Sequence, residues 1–306
     1  MRAYVVIATK GRSREVAELL GWLDRQTLAP TAVIVVGAEP SDIEGLAEYQ
    51  GLNKSNRIVV TTGVAGTCLQ RNAGFDYIHA LEQQQRSEAG YFVTFFDDDF
   101  RPADDWLAHC AEVLKNQPQV VAVTGRVLGD GARGRPLSSD DARSYLEGRC
   151  KPASHWASGE RQVEFQSMYG CNMAFRDTVV THCRFDENLP LYGWQEDRDF
   201  TCQASRYGRT VYIPGCQGVH LGLSTGRVSG VRFGYSQIAN PWYLIGKGTM
   251  KRTLGAKFVL RHLLANSARF LRHGARVDYA GRLKGNLLAI HDLARGRCHP
   301  QRVLTL

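Results

Sequence analysis

The sequence predicts an α/β fold in which a mostly parallel central sheet is flanked by helices and followed by a helical C-terminal extension. Two observations on the 306 residues support this prediction. Short apolar runs alternate with segments of helical spacing through the opening third of the chain, a pattern typical of parallel strands that are buried on both faces. Beyond residue 246, apolar residues recur at helical spacing among lysines and arginines.

Each element follows from its local pattern. Apolar runs predict strands, in chain order, at residues 4–8, 32–36, 57–61, 91–96, 120–124 and 210–213, with renewed pattern at 164–175. Helical spacing predicts helices at residues 13–25, 67–84, 104–116 and 198–207, and basic amphipathic helices at 254–271 and 280–293. Residues 129–159 are rich in Gly, Arg and Ser and predict a long excursion from the sheet.

Composition excludes several classes of protein. With 43% hydrophobic and 22% charged residues, the chain is neither disordered nor fibrous. The first apolar run is too short for an export signal and ends at Lys10, and no window approaches the roughly 18 to 20 apolar residues that span a bilayer. Eight cysteines without a CxxC pair favour reduced thiols in a cytoplasmic protein, with neither zinc nor disulfides.

The positive charge is concentrated in the tail. From Lys247 onward there are 13 lysines and arginines and two aspartates, a net charge of +11, so the first 246 residues carry −3 of the total of +8. Such a tail suits nucleic acid or an anionic membrane surface, and the scarcity of aromatic residues among the basic ones argues against nucleic acid. Peripheral contact with the inner face of the membrane is one interpretation, and a helical pair packed on the rest of the protein is the other.

Three consecutive aspartates, 97–99, follow the strand predicted at 91–96. An open parallel sheet binds ligands at the carboxyl ends of its strands, so residues 9–12 and 63–72 are expected in the same crevice. Three negative charges there repel one another unless a cation neutralises them, and a hard divalent ion fits carboxylate and phosphate oxygens. A solvated acidic turn is the alternative, but it does not explain the apolar strand before the run or Phe100 after it.

Four segments occur in a characteristic order. They are VVIATKGR from residue 5, followed by WLDRQTLAP and VIVVG; QRNAG from residue 70; FFDDDF from residue 95; and a run from YGCNMAFRDTV through RFDENLPLYGWQEDRDF to GRTVYIPGCQGVH, which ends at residue 220. In this order and spacing the chain resembles the family 2 glycosyltransferases, which have the nucleotide-sugar-binding fold called GT-A. The resemblance covers about residues 3 to 220.

The resemblance implies a donor site around the aspartate run. Asp97 and Asp98 would lie against the ribose and the donor sugar, and Arg12 would meet phosphate. Arg71 and Asn72 would contact the nucleotide or organise the aspartate loop, with an exposed helix start as the alternative. The donor-binding residues implied in this way are Thr9, Arg12, Arg71, Asn72, Asp97 and Asp98. A glycine-punctuated polar loop at 222–230 would add Arg227 by closing over the diphosphate, with an ordinary surface loop as the alternative.

The resemblance also implies a metal site and a catalytic base. Asp99 would bind Mn²⁺ or Mg²⁺ between the two phosphates, with His220 as a second ligand unless it is a structural turn residue. Asp197 would take the proton from the acceptor hydroxyl during inverting transfer, and Glu196 would orient the acceptor or hold Asp197. The acceptor-binding residues implied are Asn172 and Trp194, the latter with simple packing as its alternative.

The implied reaction moves a sugar from a nucleoside diphosphate sugar to a hydroxyl of a glycan or lipid-linked acceptor, in bacterial polysaccharide or glycoconjugate synthesis. We expect a nucleotide-sugar-binding half at 1–125, an acceptor-binding half at 126–245 and a basic helical extension at 246–306. One departure concerns the base: the family usually has acidic residues after its second strand, whereas VGAEPSD follows here, so base recognition shifts to Glu39 or Asp42, or the donor is not the common uridine type.

Two rival functions remain open. A sugar-nucleotide nucleotidyltransferase would also use a metal and an α/β sheet, but it needs a glycine-rich loop after the first strand, and ATKGR lacks that richness. A non-catalytic module would bind nucleotide or glycan without turnover. Pyrophosphate release identifies the first rival, and slow hydrolysis of a donor excludes the second.

Overall fold

The computed structural model describes residues 1–46, 49, 57–85, 89–223, 229–270 and 277–306. The chain forms two compact units. Unit 1 comprises Met1–Ala65, Leu69–Phe185 and Phe200–Gly226, and unit 2 comprises Gly66–Cys68, Asp186–Asp199 and Arg227–Leu306. The division into three regions at residues 125 and 245 stays a prediction.

Unit 1 contains a sheet of nine strands in the described residues. They are β1 (Arg2–Thr9), β2 (Ala32–Gly37), β3 (Arg57–Thr61), β4 (Tyr91–Phe96), β5 (Phe100–Pro102), β6 (Val120–Asp130), β7 (Val163–Glu164), β8 (Asn172–Arg176) and β9 (Arg209–His220). The order is β3-β2-β1-β4-β8-β6-β9-β5, with β7 paired to β9. The strands from β1 to β4 pair in parallel, as predicted, whereas β8 runs antiparallel to both of its neighbours.

The first strands form because their residues are apolar on both faces. Every residue of β2 and β4 is buried, and so are all but two of β1. Sheet residues that are covered on both sides read as continuous apolar runs, which is why local sequence revealed them. The parallel pairing of β1 with β4 brings their carboxyl ends to one edge of the sheet, where the aspartate run begins.

In the described residues, six α-helices begin before β9. They are α1 (Ser13–Leu23), α2 (Thr67–Gln85), α3 (Trp106–Asn116), α4 (Ser139–Leu146), α5 (Asp177–His182) and α6 (Glu196–Ala204). Within unit 1, α2 packs tightly on β1, since a Cβ at Gly74 would lie 2.6 Å from a methyl group of Val6. This contact gives the glycine of the QRNAG segment a structural reason.

Several elements differ from the sequence-based prediction: β9, predicted at 210–213, extends to His220, and β5, β7 and α5 are additions. Residues 129–159, predicted as an excursion, contain the end of β6 and the whole of α4. Ser138 caps that helix by accepting a hydrogen bond from the Asp141 N–H at 3.1 Å. Helix α6 begins at Glu196, two residues earlier than predicted, so that Glu196 and Asp197 occupy its first turn.

Unit 2 contains α7 (Gly230–Lys247), α8 (Arg252–Phe270), α9 (Tyr279–Ala294) and a 3₁₀ helix at Pro300–Thr305. The predicted helical extension is confirmed, with α7 as an addition that the pattern did not indicate. Helices α7 and α9 touch at backbone distance: a Cβ at Gly285 would lie 2.0 Å from the Val231 carbonyl oxygen. Among the described residues, no helix combines the length and hydropathy needed to cross a bilayer.

Candidate functional site

The three aspartates form a tight turn between β4 and β5 in unit 1. The Phe100 N–H donates to the Asp97 carbonyl at 2.9 Å, and the Asp97 N–H donates to the Cys171 carbonyl at 3.2 Å. The turn separates the side chains. Asp97 and Asp99 join His220 in a group whose candidate ligand atoms all lie within 4.8 Å of one another, whereas Asp98 makes a different set of contacts.

Asp98 is buried and holds the end of β1. Its carboxylate accepts a hydrogen bond from the Thr9 hydroxyl at 2.8 Å and forms an ion pair with Arg12 at 2.7 Å. Burial raises the pKa of Asp98, against the opposing charge of Arg12. Arg12 also lies 3.6 Å from Asp99 and donates to the Leu223 carbonyl at 3.2 Å. The predicted donor residues Thr9, Arg12 and Asp98 therefore lie together, bonded to one another.

Arg71 and Asn72 are both buried at the start of α2, and they make different contacts. Arg71 is buried and donates to the Asp97 carboxylate at 3.1 Å and to the Gly170 carbonyl at 3.0 Å, with its guanidinium over the Phe185 ring. The Asn72 carboxamide bonds both the N–H and the carbonyl of Phe185 at 2.9 Å. Both side chains are buried, which differs from an exposed helix start, and the Arg71 contact with Asp97 fits organisation of the aspartate loop. Contact of either residue with the nucleotide stays a prediction.

Asp97, Asp99 and His220 offer two carboxylates and one imidazole. The His220 Nε2 lies 3.3 Å from an Asp99 oxygen, and its Nδ1 lies 2.9 Å from Asp130. Burial lowers the pKa of His220, but the charges of Asp99 and Asp130 outweigh it and raise the pKa well above the ordinary value. This donor set suits Mn²⁺ or Mg²⁺. The geometry adds Asp97 to the two ligands proposed from the sequence.

Sequence reasoning missed Asp130, His155 and Tyr169. Their partner His220 ends β9, and the parallel pairing of β6 with β9 places Asp130 directly beside it. The two residues are 90 positions apart in the chain. The available signal was that the strand starting at Val120 extends to Asp130, but the polar composition of the following segment hid it.

The predicted catalytic residues lie in unit 2, at the start of α6. The Asp197 carboxylate accepts a hydrogen bond from the Arg198 N–H at 2.7 Å. Two non-glycine residues of the preceding segment have positive φ, Leu191 at 58° and Gln195 at 76°. Such a backbone costs on the order of 1–3 kcal/mol per residue and clusters at functional sites. The strain makes this segment a candidate independently of its sequence.

An ion cluster around the buried Asp199 supports that segment. Lys247, at the end of α7, donates to Asp199 at 2.8 Å and to Asp186 at 2.6 Å. The Thr249 hydroxyl donates to Asp199 at 2.6 Å and the Tyr243 hydroxyl to Asp186 at 2.8 Å. Burial lowers the pKa of Lys247, but its hydrogen bonds to the two aspartates raise it more. The sequence pattern indicated neither α7 nor this cluster.

Three predicted residues have other surroundings. The Trp194 indole meets Phe258 and His262 at ring distances of 6.0 and 5.0 Å, which is the packing alternative. Asn172 is fully buried in β8, where its side-chain oxygen accepts from the Thr124 hydroxyl at 2.9 Å, so it has no surface for an acceptor. Arg227 lies outside the described residues.

The two acidic residues considered for base recognition differ in exposure. The Asp42 carboxylate is buried and accepts from the N–H groups of Gly11 at 2.5 Å, Ala38 at 2.8 Å and Glu39 at 3.0 Å, so it joins the loops after β1 and β2. The Glu39 side chain is exposed. Asp42 is therefore a loop-bracing residue, and of the pair only Glu39 presents its side chain to solvent.

No family model matches this sequence. A curated relative, the glucosyl-dolichyl phosphate glucuronosyltransferase of Haloferax volcanii, is 27% identical over 127 residues, 41% of this chain and 39% of the relative. The mannosyltransferase PcManGT of Pyrobaculum calidifontis with GDP-Man and Mn²⁺ superposes over 99% of this chain and 85% of its own, at TM-score 0.53 and 19% identity. S. aureus TarS 1-349 with UDP superposes over 96% and 72%, at TM-score 0.52 and 17% identity. The predicted fold is thereby confirmed: the chain has the GT-A fold of these glycosyltransferases.

Proposed function

We propose that this protein is a metal-dependent, inverting glycosyltransferase of the family 2 type. It transfers a sugar from a nucleoside diphosphate sugar to a hydroxyl of a glycan or lipid-linked acceptor, in bacterial polysaccharide or glycoconjugate synthesis. The observation that carries the proposal is the convergence of Asp97, Asp99 and His220 at the edge of a sheet shared with sugar-nucleotide transferases. The names of the relatives, which mention UDP, GDP-Man and a dolichyl phosphate, support the donor and acceptor classes.

On the donor side, Asp97, Asp99 and His220 would hold Mn²⁺ or Mg²⁺, which when bound would supply positive charge to stabilise the departing diphosphate. Arg71 fixes the Asp97 carboxylate, and Asp98 fixes Arg12 at the edge of the sheet, where the guanidinium meets phosphate. These ion pairs hold the side chains in place before the donor arrives, so little reorganisation accompanies the reaction.

On the acceptor side, Asp197 is the base that accepts the hydroxyl proton as the oxygen attacks the anomeric carbon, and Glu196 orients the acceptor. A single base suits inversion, because the attack is direct and forms no covalent sugar–enzyme intermediate. The positive φ of Gln195 and the ion pair of Lys247 with the buried Asp199 support this role, because they fix the start of the helix on which both acidic residues lie.

We propose that the protein meets a lipid-linked acceptor through peripheral contact of its C-terminal helices with the cytoplasmic face of an anionic membrane. In α8, Leu260 and Leu264 are 59% and 62% exposed, next to the basic residues Lys257 and Arg261. Leu287, 58% exposed, lies in α9. Exposed leucines beside cations favour anionic lipid surfaces. Sedimentation with phosphatidylglycerol but not phosphatidylcholine vesicles is expected, and loss of binding in Leu260→Ser/Leu264→Ser would support these helices as the contact.

The transferase is tested by incubating the protein with UDP-sugars and GDP-sugars, in Mn²⁺ and in EDTA. We expect slow release of nucleoside diphosphate from one donor, which stops in EDTA. A thermal-shift screen of UDP and GDP with and without Mn²⁺ identifies the base. Pyrophosphate release from a nucleoside triphosphate plus a sugar 1-phosphate would contradict transfer and favour the nucleotidyltransferase. Nucleotide binding without any turnover would favour the binding module.

A further inference from the structure

Asp130 is a buried carboxylate in unit 1 that the proposed reaction does not use. Its side chain is 3% exposed. One oxygen contacts the His220 Nδ1 at 2.9 Å and accepts from the Ala132 N–H at 3.0 Å. The other accepts from the Tyr169 hydroxyl at 3.0 Å and lies 3.3 Å from the His155 Nε2. A charge held away from water in this way needs such partners, and here they fix its orientation.

The sheet determines that Asp130 meets His220. Strands β6 and β9 run parallel, and their register places the two residues side by side at the end of both strands. The pairing of β6 with β9 has register irregularities after Gly125 and after Val127, and such irregularities change the direction of a strand. The Asp130 side chain then caps the following 3₁₀ turn through the Ala132 N–H. The carboxylate is thus part of the framework as well as a neighbour of the histidine.

The contacts determine which nitrogen of His220 faces which partner. A carboxylate only accepts hydrogen bonds, so the Nδ1 that faces Asp130 carries a hydrogen. The Nε2 then faces Asp99, 3.3 Å away, on the side where Asp97 and Asp99 converge. Metal-binding histidines commonly donate their other ring N–H to a carboxylate in this manner, which fixes both the tautomer and the ring orientation.

His155 and Tyr169 hold the far side of Asp130. The His155 Nδ1 accepts from the Ala157 N–H at 3.0 Å, so Nε2 is the nitrogen that lies 3.3 Å from Asp130. The His155 ring stacks on Tyr169 with centroids 5.3 Å apart. The Tyr169 hydroxyl donates to this carboxylate oxygen, with the His155 ring packed beside it, and His220 contacts the other oxygen.

We propose that Asp130 is the positioning residue of the metal site: it holds His220 with its Nε2 directed toward Asp97 and Asp99, and His155 and Tyr169 hold Asp130 in turn. The proposal rests on the metal site of the proposed function. Asp130 does not touch the ion or the substrate, and acts only through the orientation of the histidine.

The test substitutes Asp130→Asn. An amide has one acceptor oxygen, so either His220 loses its acceptor or an NH₂ group faces the His155 Nε2–H, donor against donor. We expect the Mn²⁺ affinity, measured by calorimetry, to fall about 10–100-fold, the range for changes to outer partners of metal ligands. Pulsed EPR of bound Mn²⁺ should lose the nitrogen coupling of a coordinated imidazole. Asp140→Asn, at a side chain 88% exposed, is the matched control and should change neither readout.

Further variants make the assignment specific. His220→Gln should abolish the nitrogen coupling, which identifies its source. Tyr169→Phe removes the hydroxyl that donates to Asp130 and leaves the His220 contact in place, so a smaller loss of affinity with retained coupling is expected. If circular dichroism shows that Asp130→Asn does not fold, the double variant His155→Phe/Tyr169→Phe tests the positioning role instead. It removes the two polar groups next to the Asp130 oxygen that does not contact His220.

The outcomes separate this proposal from the proposed function. A folded Asp130→Asn variant with wild-type affinity and coupling would overturn the positioning role, as would a wild-type protein that binds no Mn²⁺, or an unchanged double variant where Asp130→Asn does not fold. None of these readouts needs a sugar nucleotide. If wild type shows the nitrogen coupling and Asp130→Asn loses it, but no donor is turned over, the positioning role stands and the transferase assignment fails.

Discussion

Two acidic segments of this protein are built in different ways. In unit 1, Asp97–Asp99 follow a buried strand, and each carboxylate has a charged or polar partner at short range. In unit 2, Glu196–Asp199 begin a helix, where Asp199 is held by Lys247 and the backbone before the helix is strained at Gln195. In the first segment, side-chain contacts provide the fixed geometry, whereas in the second the backbone and one ion cluster provide it.

The difference matches the two kinds of chemistry proposed. A metal site needs several oxygen and nitrogen atoms held at fixed distances, so its ligands require partners that lock their orientation. A base acts through one carboxylate that must reach a proton. For this role it is sufficient that the helix start carrying the carboxylate is fixed. The following predictions test whether the two segments separate into metal binding and proton transfer.

The largest effect is expected for Asp197→Asn. If Asp197 is the base, the rate of transfer should fall about 10²–10⁴-fold, the usual contribution of a general base, with Mn²⁺ affinity unchanged. Transfer kinetics and calorimetry measure the two quantities, and Asp140→Asn is the matched control. Full transfer activity in Asp197→Asn would show that Asp197 is not the base.

The second prediction concerns Asp99→Asn. The variant removes a direct ligand, so the loss of Mn²⁺ affinity should exceed the ~10–100-fold expected for an outer partner such as Asp130. Donor-dependent activity should fall with it and recover partly at high Mn²⁺. An Asp99→Asn protein that binds Mn²⁺ as tightly as wild type would show that the cluster of unit 1 holds no metal.

The third prediction is a loss of stability in Lys247→Met. The change leaves Asp186 and Asp199 with an uncompensated negative charge, and the Asp199 side chain has no exposure. Breaking a fully buried pair costs ~3–5 kcal/mol, and the cost here should be smaller because the Lys247 side chain is 28% exposed. Urea unfolding measures it. Unchanged stability would mean that the cluster does not brace the start of α6.

The smallest effect is a pH dependence in unit 2. Burial, followed by the charges of Arg261 and Arg282, lowers the pKa of His262 from 6.5 to about 4. Between these values the unfolded chain binds more protons than the folded one, so stability should fall as the pH drops from 6.5 toward 4. Burial also lowers the pKa of His79, in unit 1, so this histidine adds to the loss of stability of the chain at low pH.

His262→Asn tests this prediction, because its oxygen can still accept from Gln237, which donates to the histidine Nδ1 at 2.9 Å. The slope of unfolding free energy against pH should become shallower, whereas the exposed His291→Asn control should keep the wild-type slope. An identical slope in all three proteins would show that His262 does not titrate as inferred.

The fold was predictable from the sequence where strands of the sheet are buried on both faces. Strands β1, β2 and β4 are continuous apolar runs, so the local pattern alone located them. Helix α7 was not predicted because polar residues on its buried face interrupt the apolar spacing. One of them is Gln237, which accepts hydrogen bonds from Asn266 and Asn286. A hydrogen-bonded amide core has no periodic apolar signature, although it packs helices as firmly.

The site was predictable to a similar degree. The residues of the aspartate run and the acidic start of α6 are local features, and their types suggested a cation and a base. Asn172 and Asp42 could not be judged in advance, because their environment depends on the strand and loop that cover them. Asp130 was hidden because its role depends on a strand pairing between residues 90 positions apart.

The sequence by itself determined the order of the buried parallel strands and of the helices with apolar spacing, a carboxylate run whose charges call for a cation, and an acidic helix start suited to proton transfer. Tertiary structure alone decided how those carboxylates are used. It directs Asp97 and Asp99 toward His220, commits Asp98 to Thr9 and Arg12, and places Asp130 behind the histidine. The reason is physical: residue type and spacing are local, whereas a ligand set is formed by strand register and side-chain packing between distant parts of the chain.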